Sequence, residues 1–272
     1  MIAKRITQKG RTLFLKKRSI LLFILPSLIF LIAWVTQSVP SINYVKIEVL
    51  AEYPHDTKAY TQGLVWHDGK VYESTGKYGK SELREIELGS GKIIKRHPLE
   101  SHYFGEGLAS TDTRLVQLTW TRNVAFVYDQ KTFEPLARFS YRGQGWGLCF
   151  SEGLFYMSNG SDELTIREPD HFLVVDRKKV TKNGKPVFRL NELECANGQV
   201  WANIWNSDQI VSIDPSNGKV TAIVDASSLH PHRDGTAEEV LNGSAYIPER
   251  QTFLLTGKNW PKLFEVRFDG YP

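Results

Sequence analysis

The chain has 272 residues, and 34 Lys and Arg against 30 Asp and Glu give it a net charge of +4 at pH 7 and a pI near 8.9. A composition of 41% hydrophobic and 24% charged residues is that of a folded globular protein and excludes a disordered or fibrous chain. The 12% aromatic content favours strands, and two cysteines are too few for a disulfide-stabilised scaffold.

The positive charge lies at the N-terminus. Residues 1–18 contain seven Lys and Arg and no acid, so the rest of the chain carries −3. The charge distribution therefore predicts no nucleic-acid partner, because the basic residues form no patch on the body of the protein.

An uncharged apolar run follows at residues 19–35, which is just long enough to span a bilayer. No small-x-small cleavage site comes after it, so it predicts a transmembrane signal-anchor helix, with residues 36–44 as a linker. The positive-inside rule then predicts that residues 1–18 are cytoplasmic and that the body of the protein lies outside the cytoplasm, in the periplasm or the extracellular space. The alternative is a cleaved signal peptide, which would give a secreted protein.

Residues 45–272 contain short alternating strands separated by turn signals such as Asp68-Gly69. Units of four strands begin near residues 63, 107, 147, 192 and 243, and a four-strand unit repeating every 40–50 residues or so is typical of propeller blades. The third unit is predicted to end with a strand at residues 172–175, and the fifth unit lacks its last strand, which residues 44–50 can supply. The sequence predicts an all-β, single-domain, five-bladed β-propeller closed by the N-terminal strand; an open β-sandwich is the structural alternative.

One position, just before each innermost strand, carries a varied set of polar and aromatic residues, namely Gln62, Glu106, Trp146, Asn191 and Asn242. These side chains are expected to meet at one mouth of the central channel. Glu106 is the charged member and lies between two glycines, which we expect to leave room for a ligand. A carboxylate in an aromatic-lined cavity has a raised pKa that suits proton transfer near neutral pH. Trp205 and Lys258 follow second strands and can reach the same mouth, with Lys262 as an alternative to Lys258.

The cysteines and histidines give weaker signals. Cys149 and Cys195 fall on the inner strands of adjacent predicted blades, where a bridge is possible in an oxidising compartment, but two buried free thiols are the favoured interpretation. The seven histidines form no HExxH motif or His/Cys cluster, so the sequence predicts no metal site.

Motifs spread along residues 45–268 together resemble those of the plant-type (bacterial and plant) glutaminyl-peptide cyclotransferases. They are YTQGL at 60–64, YESTG at 72–76, GEGL at 105–108, LTW at 118–120, GWGL at 145–148, YMSNGS at 156–161, NELE at 191–194, WAN at 201–203, LNG at 241–243, TGK at 256–258 and WPKLFEV at 260–266. The resemblance implies a five-bladed propeller that converts the N-terminal glutamine of peptides or proteins to pyroglutamate and releases ammonia, without a metal or other cofactor.

The same resemblance implies roles for individual residues. The acid–base glutamate of the family would be Glu106. The substrate-binding positions would be Gln62, Trp146, Asn191, Trp205 and Lys258.

Two other functions remain open from the residues alone. A non-catalytic propeller that binds a peptide or protein at its mouth would share the fold and the aromatic ring. A metal-dependent propeller lactonase would need several acidic and amide ligands converging on the channel, whereas the ring position offers one carboxylate.

Overall fold

The computed structural model of the protein describes residues 42–230 and 238–270. Within these residues, no helix is long and apolar enough to cross a bilayer. The predicted cytoplasmic segment at residues 1–18, the apolar run at 19–35 and residues 36–41 of the predicted linker lie outside the described part of the chain. Residues 43 and 44, the last two of the predicted linker at 36–44, belong to a strand.

Most of the described strands form five blades of four antiparallel strands. A further strand pairs in parallel with the edge of the fourth blade, and a separate two-stranded hairpin completes the sheets. The first blade contains β3 (Thr61–His67), β4 (Lys70–Thr75), β5 (Glu82–Glu87) and β6 (Lys92–Pro98). The second contains β7 (Gly105–Ser110), β8 (Arg114–Thr119), β9 (Val124–Asp129) and β10 (Pro135–Ser140). The third contains β11 (Leu148–Ser151), β12 (Leu154–Met157), β13 (Glu163–Arg167) and β14 (Val174–Lys179), and a short hairpin of β15 (Thr181–Lys182) and β16 (Lys185–Pro186) follows it.

The fourth blade contains β17 (Leu190–Ala196), β18 (Gln199–Ile204), β19 (Gln209–Ile213) and β20 (Val220–Asp225). The fifth contains β21 (Leu241–Ile247), β22 (Thr252–Gly257) and β23 (Lys262–Phe268), and its outermost strand is β2 (Ile47–Pro54). The inner strands β3, β7, β11, β17 and β21 contact one another in a closed ring. The prediction of a five-bladed β-propeller is therefore confirmed, and the open sandwich is excluded.

The N-terminal strand closes the ring, as the sequence predicts. β2 pairs antiparallel with β23 from Ile47 opposite Phe268 to Pro54 opposite Lys262. The predicted strand at residues 44–50 is interrupted at Lys46, because the preceding β1 (Asn43–Val45) pairs in parallel with β20 at the edge of the fourth blade. The chain thus joins the outer edges of two blades before it enters the ring.

Five clusters of buried apolar side chains make up the core, one between each pair of neighbouring blades. Trp201 of the fourth blade packs on Phe253 of the fifth, with ring centroids 5.3 Å apart. Phe172 has no exposed surface and stacks on Phe139 of the second blade. The predicted strand at residues 172–175 is wrong in its bounds, since Phe172 lies in a turn with φ +61° and β14 begins at Val174.

Glycines allow the inner strands to approach one another closely around the channel. A Cβ added at Gly63 would lie 2.5 Å from the Leu108 nitrogen, and one added at Gly107 would lie 2.6 Å from the Trp146 oxygen. Gly107 therefore serves strand packing, so the space for a ligand beside Glu106 does not come from this glycine.

A disulfide joins Cys149 on β11 to Cys195 on β17, with Cα atoms 5.4 Å apart. The expectation of two free thiols is therefore wrong. Because the inner strands of the third and fourth blades are adjacent and closely packed, they hold the two Cα atoms within the usual range of about 4.4–6.8 Å for a bridge.

Candidate active site

Four of the five inner strands have an irregularity in their pairing near the end where they enter the channel. The pairing shifts at Gln62 in β3, at Glu106 in β7, at Asn191 in β17 and at Asn242 in β21. Each shift adds residues to the inner strand that have no partner on the next strand, and such bulges redirect the side chains they contain. The bulges explain how residues of four different blades come to face one another.

Gln62, Glu106 and Asn191 line a cavity of about 340 Å³ at the mouth of the channel, and Asn242 lies outside its lining. Its lining includes all six residues that the sequence and the resemblance select, namely Gln62, Glu106, Trp146, Asn191, Trp205 and Lys258. It also includes Tyr60, Lys77, Phe104 and Trp120. A second cavity, between the second and third blades, shares none of these residues.

Glu106 and Lys258 are the buried charged pair of the cavity, and each is 4% exposed. Burial raises the pKa of Glu106 well above its ordinary value of 4.5, although the positive charge of Lys258 and a hydrogen bond from Gln62 oppose the shift. Burial lowers the pKa of Lys258 to about 8, although Glu106 opposes this shift. Glu106 therefore takes up a proton more readily than an exposed carboxylate, and Lys258 still carries most of its positive charge near neutral pH.

Lys258 reaches the cavity because it follows directly on the end of β22 at Gly257, where its backbone nitrogen donates to Val240. Its Nζ lies 4.7 Å from the centre of the Tyr60 ring. The alternative, Lys262, is exposed on β23 and pairs with Glu52 at the surface. Of the two lysines, only Lys258 lines the cavity.

Aromatic rings form the walls. Trp146 and Trp205 meet edge to face at 5.7 Å, and Phe104 contacts both Tyr60 and Trp120. The indole nitrogens of Trp120 and Trp146 both donate to Oε1 of Gln144, at 2.8 Å each. Those two indoles are thus fixed in orientation, and their N–H groups are already engaged.

Three amides are linked in one buried network at the base of the cavity. Nδ2 of Asn242 donates to Oε1 of Gln62 at 3.0 Å, and Nδ2 of Asn191 donates to Oδ1 of Asn242 at 2.8 Å. Gln62 in turn donates to Glu106. The sequence pattern placed Asn242 at the ring position but predicted no role for it. Its hydrogen bonds become apparent only in the folded structure.

At the outer rim, Lys77 lies 4.0 Å above the centre of the Tyr60 ring and pairs with Glu238 at 2.7 Å. Its φ of +87° is unusual for a residue with a side chain. Lys77 adds to the positive charge near Lys258 and contributes to its lowered pKa. No sequence signal distinguished Lys77, because lysine is common on loops and its position depends on the turn after β4.

Two further carboxylates lie on β17, the buried Glu192 and the half-buried Glu194, and neither lines the cavity. Glu192 accepts hydrogen bonds from the backbone nitrogens of Leu64 and Ser244 and from the Ser244 hydroxyl. Burial raises its pKa to about 8, and burial together with the charge of Glu192 raises the pKa of Glu194. Glu192 thus connects the fourth blade to the first and fifth across the channel. In residues 42–230 and 238–270, no group of three or more His, Cys, Asp or Glu side chains is placed to hold a metal ion.

Comparison with known proteins identifies the family. The family model described as glutamine cyclotransferase matches residues 25–268. The chain belongs to the glutamine cyclotransferase family.

Two members of known identity support this assignment. The chain is 38% identical over 230 residues to a glutaminyl-peptide cyclotransferase of Arabidopsis thaliana, an alignment that covers 82% of this chain and 71% of the plant protein. It is 41% identical to the glutaminyl cyclase of Myxococcus xanthus, whose crystal structure superposes with a TM-score of 0.80 over 84% of this chain and 99% of the other. The chain is thus a glutaminyl-peptide cyclotransferase, as the motifs implied, and this activity is preferred over a binding module or a lactonase.

The cavity residues that the sequence left unassigned were partly visible in the motifs of this cyclotransferase. Tyr60 begins the YTQGL motif, Phe104 precedes GEGL, and Trp120 ends LTW. Aromatic residues at strand ends are often part of the hydrophobic core. The motifs alone therefore did not show that these three side chains line the cavity.

Proposed function

We propose that this glutaminyl-peptide cyclotransferase carries out its reaction in the cavity at the channel mouth, with Glu106 as the acid–base residue. The observation that carries the proposal is the position of Glu106. It is the carboxylate among the cavity-lining residues, it is buried, and burial raises its pKa well above the ordinary value of 4.5. The substrates are peptides or proteins that begin with glutamine.

In the reaction, the α-amine of the substrate attacks the γ-carbonyl carbon of its own side chain. A new carbon–nitrogen bond closes the five-membered ring, and the bond from the γ-carbon to the amide nitrogen breaks. Ionised Glu106 takes one proton from the attacking amine and returns a proton to the departing nitrogen, which leaves as ammonia. General acid–base catalysis of this kind contributes about 10²–10⁴-fold.

Lys258 is the group that we propose to stabilise the negative charge that develops on the γ-oxygen. It is a buried cation of the cavity, and a charged donor in a water-excluded site acts strongly on developing charge. The indoles of Trp120 and Trp146 are engaged by Gln144, so they act as walls. Gln62 and Asn191 hold the polar groups of the substrate, and Trp146 and Trp205 restrict its side chain to the conformer that cyclises.

Replacing Glu106 with glutamine tests this assignment, because the amide keeps the shape of the side chain and cannot take a proton. Ammonia release from a Gln-initiated dipeptide is expected to fall about 10²–10⁴-fold, with no loss of the folded structure. Glu192→Gln is the matched control, since it makes the same change to a buried carboxylate of the channel outside the cavity, and it is expected to retain turnover. Normal turnover in Glu106→Gln would exclude Glu106 as the acid–base residue.

We further propose that the enzyme is anchored in a membrane by residues 19–35, with its catalytic domain outside the cytoplasm. The basic flank of residues 1–18 and the apolar run support this orientation. The disulfide between Cys149 and Cys195 adds independent support, because structural disulfides persist mainly in oxidising compartments.

Deletion of residues 1–41 tests the anchor without touching β1 or β2. The truncated enzyme is expected to move from the membrane fraction to the soluble fraction and to keep its activity. Full-length enzyme that is already soluble and retains its N-terminus would contradict the anchor.

A further inference from the structure

The side chain of Asn242 lies at the centre of the polar network beneath the cavity. The residue has no exposed surface, and β21 carries it on the bulge between Leu241 and Ser244. Its Nδ2 donates to the backbone oxygen of Thr61 at 2.9 Å and to Oε1 of Gln62 at 3.0 Å, and its Oδ1 accepts from Asn191 at 2.8 Å. Asn242 therefore contacts both amides of the candidate active site.

The backbone contact determines which way each amide points. A carbonyl oxygen can only accept, so the group of Asn242 that faces Thr61 must be its NH₂. The oxygen of Asn242 then faces Asn191, which must supply its own NH₂. By the same reasoning the oxygen of Gln62 is taken by Asn242, which leaves the NH₂ of Gln62 as the group that meets Glu106.

We propose that Asn242 is a positioning residue that sets the donor and acceptor pattern of the active site. It keeps Gln62 as a donor to the Glu106 carboxylate, and it leaves the oxygen of Asn191 as the acceptor for an N–H group of the substrate glutamine. This inference rests on the proposed site, because Asn242 acts through Gln62 and Asn191 and does not line the cavity itself.

The opposite orientation would impair the reaction for a physical reason. If Gln62 turned its oxygen towards Glu106, two acceptors would face each other in a buried site, which costs free energy and disfavours the ionised carboxylate. A smaller fraction of Glu106 would then be ionised at neutral pH and able to accept a proton. An Asn191 that presented its NH₂ would repel the N–H groups of the amine and the γ-amide.

Asn242→Asp tests the role directly, because aspartate has the same shape and cannot donate to Thr61 or Gln62. We expect kcat to fall about 10²-fold and KM to change much less, because a small misplacement of reacting groups lowers the rate by about this factor. The acidic limb of the pH profile is expected to move to higher pH. Asn242→Ser, which introduces no charge, is expected to shift this limb in the same direction.

A double-mutant cycle with Gln62→Ala separates positioning from general stability. If Asn242 acts through Gln62, the loss of kcat caused by Asn242→Ser is expected to be smaller in the Gln62→Ala variant than in the wild type. The effects of substitutions at two coupled residues are not additive. Gln130→Glu is a matched control for placing a carboxyl group at a buried amide, since Gln130 is buried and does not line the cavity, and it is expected to leave the pH profile unchanged.

The outcomes divide cleanly. Three results would overturn the role of Asn242. They are fully additive losses of kcat in the double variant, an unchanged pH profile, and a loss of activity that matches the loss of folded protein. Glu106→Gln assayed in parallel distinguishes this from a failure of the site itself: loss of turnover in Glu106→Gln with additive costs refutes only the role of Asn242, whereas full turnover in Glu106→Gln refutes the proposed site.

Discussion

At the scale of single residues, the proposed chemistry depends on one carboxyl group and one ammonium group in the same buried cavity. Burial alone would favour the neutral form of both, and their mutual attraction keeps each partly charged. The result is a carboxylate that takes up a proton more readily than an exposed one, beside a cation whose pKa is about 8. Such opposed shifts are typical of groups that exchange protons with a substrate.

The pKa of Lys258 predicts an alkaline limit to catalysis. The wild-type kcat is expected to fall as pH rises through about 8, because Lys258 then loses the charge that stabilises the developing oxyanion. Lys258→Arg keeps a positive charge at all accessible pH values, so the fall is expected to disappear, although kcat at neutral pH is about 10-fold or more lower because a guanidinium is larger. The pH dependence of ammonia release at saturating substrate checks this, and an identical alkaline limb in both enzymes would contradict it.

At the scale of strands, the site depends on how closely the inner strands pack. The bulges aim Gln62, Glu106 and Asn191 into the channel, and the glycines that follow let the neighbouring backbones approach. In β17 the equivalent position is Glu192, whose carboxylate reaches across to Leu64 and Ser244. Bulges and glycines together bring side chains from different blades within reach of one substrate.

Gly147→Ala is expected to destabilise the ring. Its Cβ would overlap the carbonyl oxygen of Asn191, so the third and fourth blades would have to separate. Overpacking of this kind costs about 1–3 kcal/mol of the free energy of unfolding, and activity is expected to fall because Asn191 moves. Urea denaturation and ammonia release measure the two effects. Gly89→Ala is the control, because a Cβ at Gly89 meets no atom within 4 Å, and equal stability of the two variants would contradict the argument.

At the scale of the whole molecule, the ring is closed where β2 meets the fifth blade and leads into the first. His55 lies just after β2, and its two ring nitrogens contact the Trp260 oxygen at 2.8 Å and Oε1 of Glu73 at 3.0 Å. Both partners accept, since Oε1 of Glu73 also receives the hydroxyl of Thr61. Both ring nitrogens therefore carry a proton, and His55 is a buried cation paired with Glu73.

This closing pair predicts a pH window for stability. Burial alone would lower the pKa of His55, but Glu73 and the Trp260 oxygen outweigh it and raise the pKa above 6.5. For Glu73, burial would raise the pKa, and His55 and Arg84 outweigh it and lower the pKa below 4.5. The stabilisation from His55 is fully present below pH 6.5 and is lost as pH rises through its raised pKa. That from Glu73 is present above pH 4.5 and is lost as pH falls through its lowered pKa.

His55→Gln is therefore expected to lower the free energy of unfolding most between about pH 4.5 and 6.5, by about 3–5 kcal/mol as for other broken buried pairs. The difference from wild type is expected to shrink as the pH rises above this window. Thermal denaturation across pH 5–9 checks this, with the exposed His171→Gln as a control that should show no such trend. A difference that stays constant with pH would contradict a protonated His55.

The sequence by itself determined the blade count and the identity of most site residues. Strand repeats and turn signals are local, and the ring position before each inner strand marked Gln62, Glu106 and Asn191 without reference to any contact. The closure by the N-terminal strand also followed from the sequence, because a fifth unit without its last strand leaves an edge that only another strand can pair.

Only the tertiary structure decided what these residues do to one another. The disulfide between Cys149 and Cys195, the proton on His55 and the orientation imposed by Asn242 depend on contacts between residues 18 to 205 positions apart in the chain. The choice of Lys258 over Lys262 depended on which lysine faces the channel after the turn at Gly257. A one-dimensional pattern records which residues alternate and repeat, whereas hydrogen-bond direction and pKa depend on neighbours that meet only when the ring has closed.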